Sequence, residues 1–205
     1  MALQESIFAR GGRALRKAAA RCTVVCNRLR FRLFGISFGH GCRVEGKIFL
    51  ERGDGAAISI GDEFHCVSGL GINRIGRNLR SGIFAAPGAV IKIGDGVGIS
   101  CSSIWSRTAI TIGDNTQIGA DCLIMDHDAH SLDPLRRRDW ALDVADIASE
   151  PIEIGPDVLI GARCTVLKGA KIGAGSVIGA GSVVTGTVPE GQVWAGSPAK
   201  YIKSI

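Results

Sequence analysis

Aromatic side chains are scarce in this chain. One Tyr, three Trp and seven Phe make up 5% of 205 residues, while glycine alone contributes 29. A thick globular core filled by large rings is therefore excluded, and a thin, repetitive architecture is favoured. No run of 18 apolar residues occurs, so no transmembrane helix is expected. The start carries no apolar stretch with a cleavage site, so no secretory signal is expected either. There is no Cys-x-x-Cys pair and hence no zinc ribbon. The cysteines number seven, an odd count at irregular spacing. This speaks against a disulfide framework and for a reducing, cytoplasmic compartment. Cys101, Cys122 and Cys164 are expected to act as small apolar fillers.

What the chain has instead is a period. From Ile154 an aliphatic residue returns every sixth position: Ile154, Ile160, Val166, Ile172, Ile178, Val184. Gly follows four of these six, and the position four after each is small or medium: Val158, Cys164, Ala170, Ser176, Ser182, Val188. The same unit runs through Ile112, Ile118 and Ile124, through Ile93 and Ile99, and more raggedly over 58–92. A fixed period decides architecture before local propensity does. Six is the period of neither a helix nor an alternating strand. It suits short strands joined at tight corners, each pointing one aliphatic residue inward, with glycine supplying corner backbone conformations that a side chain would forbid. Coils stacked at about 4.8 Å would pair backbone to backbone. Stability then comes from neighbouring coils, so the expected fold class is an all-β solenoid, a parallel β-helix.

The period stops in IMDHDAHSLDPLRRRDW, residues 124–140, and resumes at PIEIG from Pro151. Here two histidines, His127 and His130, stand three apart. The expected organisation is a basic helical segment over 1–40, the β-helix over 41–190 with a protruding loop at about 125–150, and a tail or short helix over 191–205.

Charge is unevenly placed. Residues 1–50 hold ten Lys/Arg and two Glu, a net of +8, and the remaining 155 hold fourteen and seventeen, a net of −3. The stretch 9–35 mixes Arg and Lys with Leu, Val and Phe and reads as a basic, partly amphipathic helix. Two roles fit it. One is a cap over the first coil; the other is peripheral contact with an anionic membrane. Nucleic acid is not an expected partner, because no stacking aromatics interleave with the cations.

The repeats, with PIEIGPDVLIGARCTVLKGAKIGAGSVIGAGSVVTGTVPEG and AGSPAKYIK, resemble the hexapeptide-repeat acyltransferases, most closely the galactoside and maltose acetyltransferase branch. The resemblance is strong over about 93–203. It implies a left-handed coil, a hand that periodicity alone would not give, and assembly as a homotrimer. It also implies acetyl-CoA as co-substrate and no metal.

HSLDPLRR, from His130, matches the family's loop stretch. The resemblance thus implies His130 as general base, with His127 the second candidate. An imidazole, whose unperturbed pKa is about 6.5, can take the proton of an acceptor hydroxyl. Asp126, Asp128 or another carboxylate would orient it. Ala162, Ala180, Thr185 and Lys203 fall on cofactor-contact positions, with Lys200 a further cation. Where the family usually carries Lys after Thr185, this chain has Gly186. Ser100 and Ser102, with Asp126, are the acceptor-site candidates.

The implied activity is O-acetyl transfer to a saccharide, free or lipid-linked, in cell-envelope polysaccharide synthesis, in the cytoplasm or at the inner membrane face. Alternatives are serine or an antibiotic as acceptor, a non-catalytic β-helix scaffold, or a zinc carbonic anhydrase on the same fold. The last would need His40 and His65 to converge with the loop histidines.

Overall fold

In the computed structural model, residues 22–69 and 79–205 are described. Within them the chain winds as a left-handed parallel β-helix with three flat sides. Sheet A stacks Ser37–Phe38, Ala57–Ile60, Val90–Ile93, Ala109–Ile112, Ile152–Ile154, Lys171–Ile172 and Thr187–Val188. Sheet B stacks Arg43–Glu45, His65–Val67, Gly98–Ser100, Gln117–Ile118, Leu159–Ile160, Val177–Ile178 and Gln192–Gly196, ending in Ala199–Ser204. Sheet C stacks Phe49–Arg52, Gly82–Ala85, Ser103–Ser106, Leu123–Met125, Thr165–Leu167 and Val183–Val184.

The sixfold residues are the core. Ile154, Ile160, Val166, Ile172, Ile178 and Val184 are each at most 3% exposed. Register stacks like on like: Ile60, Ile93, Ile112, Ile154, Ile172 and Val188 form one ladder up sheet A. Each such side chain contributes roughly 1.5–3 kcal/mol by leaving water. The small positions between them are also buried, including Cys122 and Cys164. Burial pushes the Cys42 thiol up to about 11 and Cys66 to about 12, so both stay protonated fillers.

The glycine after each aliphatic residue is explained differently from the sequence expectation. Gly113, Gly161 and Gly173 are not among the residues with left-handed backbone. They are required by proximity: a Cβ on Gly161 would lie 2.6 Å from Ala180 N, and one on Gly113 would lie 2.4 Å from Pro156 N. The left-handed positions come two residues later, at Asn115, Asp157 and Gly175. Beside the glycine column on sheet A, aspartates form a ladder. Asp62, Asp95 and Asp114 accept the backbone N–H of His40, Asp62 and Asp95 at 2.7, 2.7 and 2.8 Å.

Both ends are closed. A helix over 22–33 lies on the first coil. Asn27 Nδ2 donates to Val44 O and Gly46 O at 3.1 and 2.7 Å, Arg28 Nε to Cys42 O at 2.8 Å, and Phe31 is fully buried. The helix stops at Gly35, whose left-handed backbone lets Ile36 N reach Phe31 O and Gly35 N reach Arg32 O. Residues 9–21 of the expected helix lie outside the described residues. At the other end, 191–205 is neither tail nor helix. Gln192–Gly196 and Ala199–Ser204 pair antiparallel, and Trp194 packs on the last core rung. The strands begin at Ser37, not at 41, because Phe38 and Ile36 already belong to the core.

Gly161→Ala should lower stability by about 1–3 kcal/mol through overpacking, read as a fall in denaturation midpoint. Gly186→Ala, where an added Cβ meets nothing within 4 Å, should be nearly neutral. Equal effects would refute the proximity account.

Candidate active site

The loop leaves sheet C after Met125 and returns to sheet A at Ile152. Its exit is fastened by Asp126, which is fully buried. That carboxylate accepts from Ser106 Oγ at 2.7 Å, Arg107 N at 2.7 Å, and Thr108 N and Oγ1 at 2.9 Å. Both its oxygens are bonded inside the chain and neither is exposed, so Asp126 is an anchor for the loop. Ser102 is corrected in the same way. It is 2% exposed and donates to Ser100 O and Gly119 O at 2.8 and 2.7 Å, one rung of a buried polar column continued by Cys122, Cys164 and Ser182. Ser100 is half-buried on sheet B.

The two histidines differ sharply. His127 is 2% exposed and stands edge-on to Trp105, with ring centroids 4.6 Å apart. Its Nδ1 lies 3.1 Å from Asp128 O, and its Nε2 is buried without a partner. Asp128 is held by Lys168 of the following coil at 2.5 Å. His130 sits further out, with 62% of its side chain exposed. Its Nδ1 lies 2.6 Å from Asp143 Oδ2.

Asp143 is the residue that sequence reasoning missed. It lies in the short helix Trp140–Ala145, capped by Asp139, whose side chain accepts from Leu142 N at 3.0 Å. The helix turns Asp143 back under His130, and Ser131 N donates to its other oxygen at 2.7 Å. The His130 contact, then the Ser131 N–H, hold this carboxyl below its ordinary value of 3.8. Folding thus stabilises the ionised form. The contribution is present above that value and is lost as pH falls below it. An ionised carboxylate only accepts, so Nδ1 carries the proton of this bond, and in the neutral ring the lone pair is on Nε2. Ser131 locks the hairpin further, donating from Oγ to Asp146 at 2.5 Å and accepting from Arg137 at 2.7 Å through its carbonyl.

The loop stands beside the outward face of sheet C, where Phe84, Trp105, Met125 and Leu167 share one column. The corners bordering that face carry the other candidates. Ala162 and Ala180 are successive rungs of the corner between sheets B and C, and Lys200, exposed, pairs with Ala195 one rung beyond. Thr185 lies at the opposite corner, after Val183–Val184. Lys203 is exposed on the last strand, opposite Val193. His40 and His65 belong to the first two coils, near Asp62, Glu63 and Glu45, and are not brought to the loop.

A family model described as bacterial transferase hexapeptide (six repeats) matches residues 151–186. The putative lipopolysaccharide biosynthesis O-acetyl transferase WbbJ of Escherichia coli is 36% identical over 169 residues, 81% of this chain and 81% of its own. The chain belongs to the hexapeptide-repeat transferase family. Among solved members, the Vibrio cholerae acetyltransferase VCA0836, complexed with acetyl coenzyme A, superposes with a TM-score of 0.50 at 25% identity. The match covers 98% of this chain and 87% of that one. AntD of Bacillus cereus, an N-acyltransferase complexed with coenzyme A, superposes at 0.67 with 16% identity, covering 86% and 88%. The latter likeness is one of fold.

Asp126→Ala should destabilise the protein by about 3 kcal/mol, since it strands the buried Ser106 hydroxyl and three part-buried donors on Arg107 and Thr108, each unmet donor costing up to roughly 1–3 kcal/mol. His127→Ala should cost less. Thermal melting of the two variants distinguishes anchor from bystander.

Proposed function

We propose that the chain is an acetyl-CoA-dependent O-acetyltransferase whose acceptor is a saccharide hydroxyl of cell-envelope polysaccharide synthesis. The observation that carries this reading is the His130–Asp143 pair at 2.6 Å on the one loop that leaves the repeat, with its free ring nitrogen turned outward. Kinship to an O-acetyl transferase of lipopolysaccharide biosynthesis supports the acceptor class.

Acetyl-CoA, when bound, supplies an acyl group already activated as a thioester. His130 Nε2 accepts the acceptor hydroxyl proton as that oxygen attacks the acyl carbon. The carbon–sulfur bond breaks, and His130 returns the proton to the departing sulfur. Asp143 stabilises the imidazolium in between and fixes the ring. No enzyme thiol takes part, in keeping with the burial of Cys42, Cys66, Cys101, Cys122 and Cys164.

The donor would lie along sheet C, between the corner carrying Ala162 and Ala180 and the corner carrying Thr185. Small residues there leave room for a backbone-lined groove, and Lys200 and Lys203 offer cations for phosphate. The second wall of that groove would be another copy of the chain in a homotrimer. The apolar residues on the outward face of sheet C support this: Trp105 in one column and Phe49 in the neighbouring one are 41% and 50% exposed.

His130→Ala should cut turnover by about 10²–10⁴-fold, with an unchanged melting midpoint. Asp143→Asn should lower turnover by a smaller factor, and His127→Ala should retain much more activity than His130→Ala. Incubation with labelled acetyl-CoA and a panel of sugars, nucleotide sugars, amino sugars and amino acids, read by mass spectrometry, tests the acceptor. Label appearing on nitrogen alone would overturn the hydroxyl assignment. Gly186→Lys, at a position with open space, should tighten coenzyme A binding several-fold and steepen its salt dependence, as measured by calorimetry.

A further inference from the structure

The helix over 22–33 has two faces, and the solenoid uses one. Thr23, Asn27 and Phe31 face the first coil, and Arg28 and Arg30 reach its carbonyls from the flanks of the helix. On the opposite side Val25, Leu29 and Leu33 recur every fourth residue and are 67%, 57% and 75% exposed; Phe34 follows at 39%. Exposed Cys22 and Cys26 widen the stripe. Among the described residues, no packing contact requires these side chains to be apolar.

The charge around the stripe is of one sign. Between Glu5 and Glu45 there is no Asp or Glu, and there are nine Lys/Arg. Arg28 and Arg30 are tethered to carbonyls of the first coil, and the Arg32 guanidinium lies 5.8 Å from the Phe38 ring centroid. These cations thus stay at the margins of the apolar stripe instead of trailing into solvent. An apolar strip bordered by fixed cations, on a helix that itself carries no acid, complements a surface that is oily within and negatively charged at its rim. Among the described residues no helix is long and apolar enough to cross a membrane, so contact would be parallel to the surface.

We propose that the outward face of this helix docks on an anionic lipid bilayer, while its inward face caps the β-helix. The two roles use different residues of the same helix. The inference stands apart from the acetyl-transfer reading.

The test uses the full chain and vesicles of phosphatidylglycerol mixed with phosphatidylcholine, beside vesicles of phosphatidylcholine alone. The intact protein should float with the anionic vesicles at low salt, less at high salt, and not with the neutral ones. A Leu29→Glu/Leu33→Glu variant should partition about tenfold more weakly or worse, with unchanged melting midpoint and unchanged acetyl transfer to a soluble acceptor. Three outcomes would each overturn the proposal: no flotation of intact protein at low salt, equal flotation of protein and variant, or a variant that loses its oligomeric mass in light scattering. The last would assign the face to a contact between copies. Loss of flotation with transfer preserved separates this surface from the catalytic reading.

Discussion

Everything in this molecule depends on how closely one coil can lie on the next. Backbone-to-backbone pairing holds successive rungs together on three sides, and the corners must let those rungs meet without a side chain between them. Gly61, Gly94, Gly113, Gly155, Gly161 and Gly173 supply that clearance. Once the spacing is set, the aliphatic residue before each corner falls on its counterpart above, and a continuous core follows with few aromatic rings. The economy has a chemical corollary. A wall built of short repeating strands presents mainly backbone and small side chains, and its one shallow concavity on sheet A among those described, lined by Thr111, Glu153, Lys171 and Thr187, holds no histidine; the His130–Asp143 pair is carried on the segment that departs from the wall.

The loop after Met125 is that departure, and it is built as rigidly as the coils. Asp126 fastens its root, Lys168 clasps Asp128 from the coil above, and Arg107 reaches Val144 O at 3.2 Å near the loop's far side. The result is an imidazole fixed in tautomer and direction but open to solvent on one edge. Exposure and order usually oppose each other on a surface loop. Here the buried carboxylate of Asp143, carried on the Trp140–Ala145 helix, reconciles them.

Much of the architecture was legible because a period survives any local ambiguity. Six β-branched or aliphatic residues in one frame admit few backbones. The position of the loop was equally plain, since it is where the frame fails, and His130 followed from its surrounding motif. Asp143 was not legible. It stands thirteen residues from His130, and only the turn of the Trp140–Ala145 helix brings the two together. Asp126 and Ser102 were misassigned because a polar residue beside a candidate site looks the same in sequence whether it faces solvent or the core. Asp126 lies just past Leu123–Met125 and Ser102 at the corner before Ser103–Ser106, and their burial depends on how the chain turns there. The closing hairpin was missed because the period ends before it, and nothing in AGSPAKYIK separates a strand from a tail until Trp194 needs a cover.

The direction of that final strand carries a further meaning. A stack of parallel rungs is in principle endless, since its top presents the same unpaired backbone that its bottom accepts. Ala199–Ser204 runs the opposite way and leaves Lys200 and Lys203 along the outermost edge of sheet B, while a helix lies across the first rung. On sheet B, at least, the last edge no longer offers a parallel template of matching register. A protein whose interior repeats like a fibril is thereby kept from growing into one.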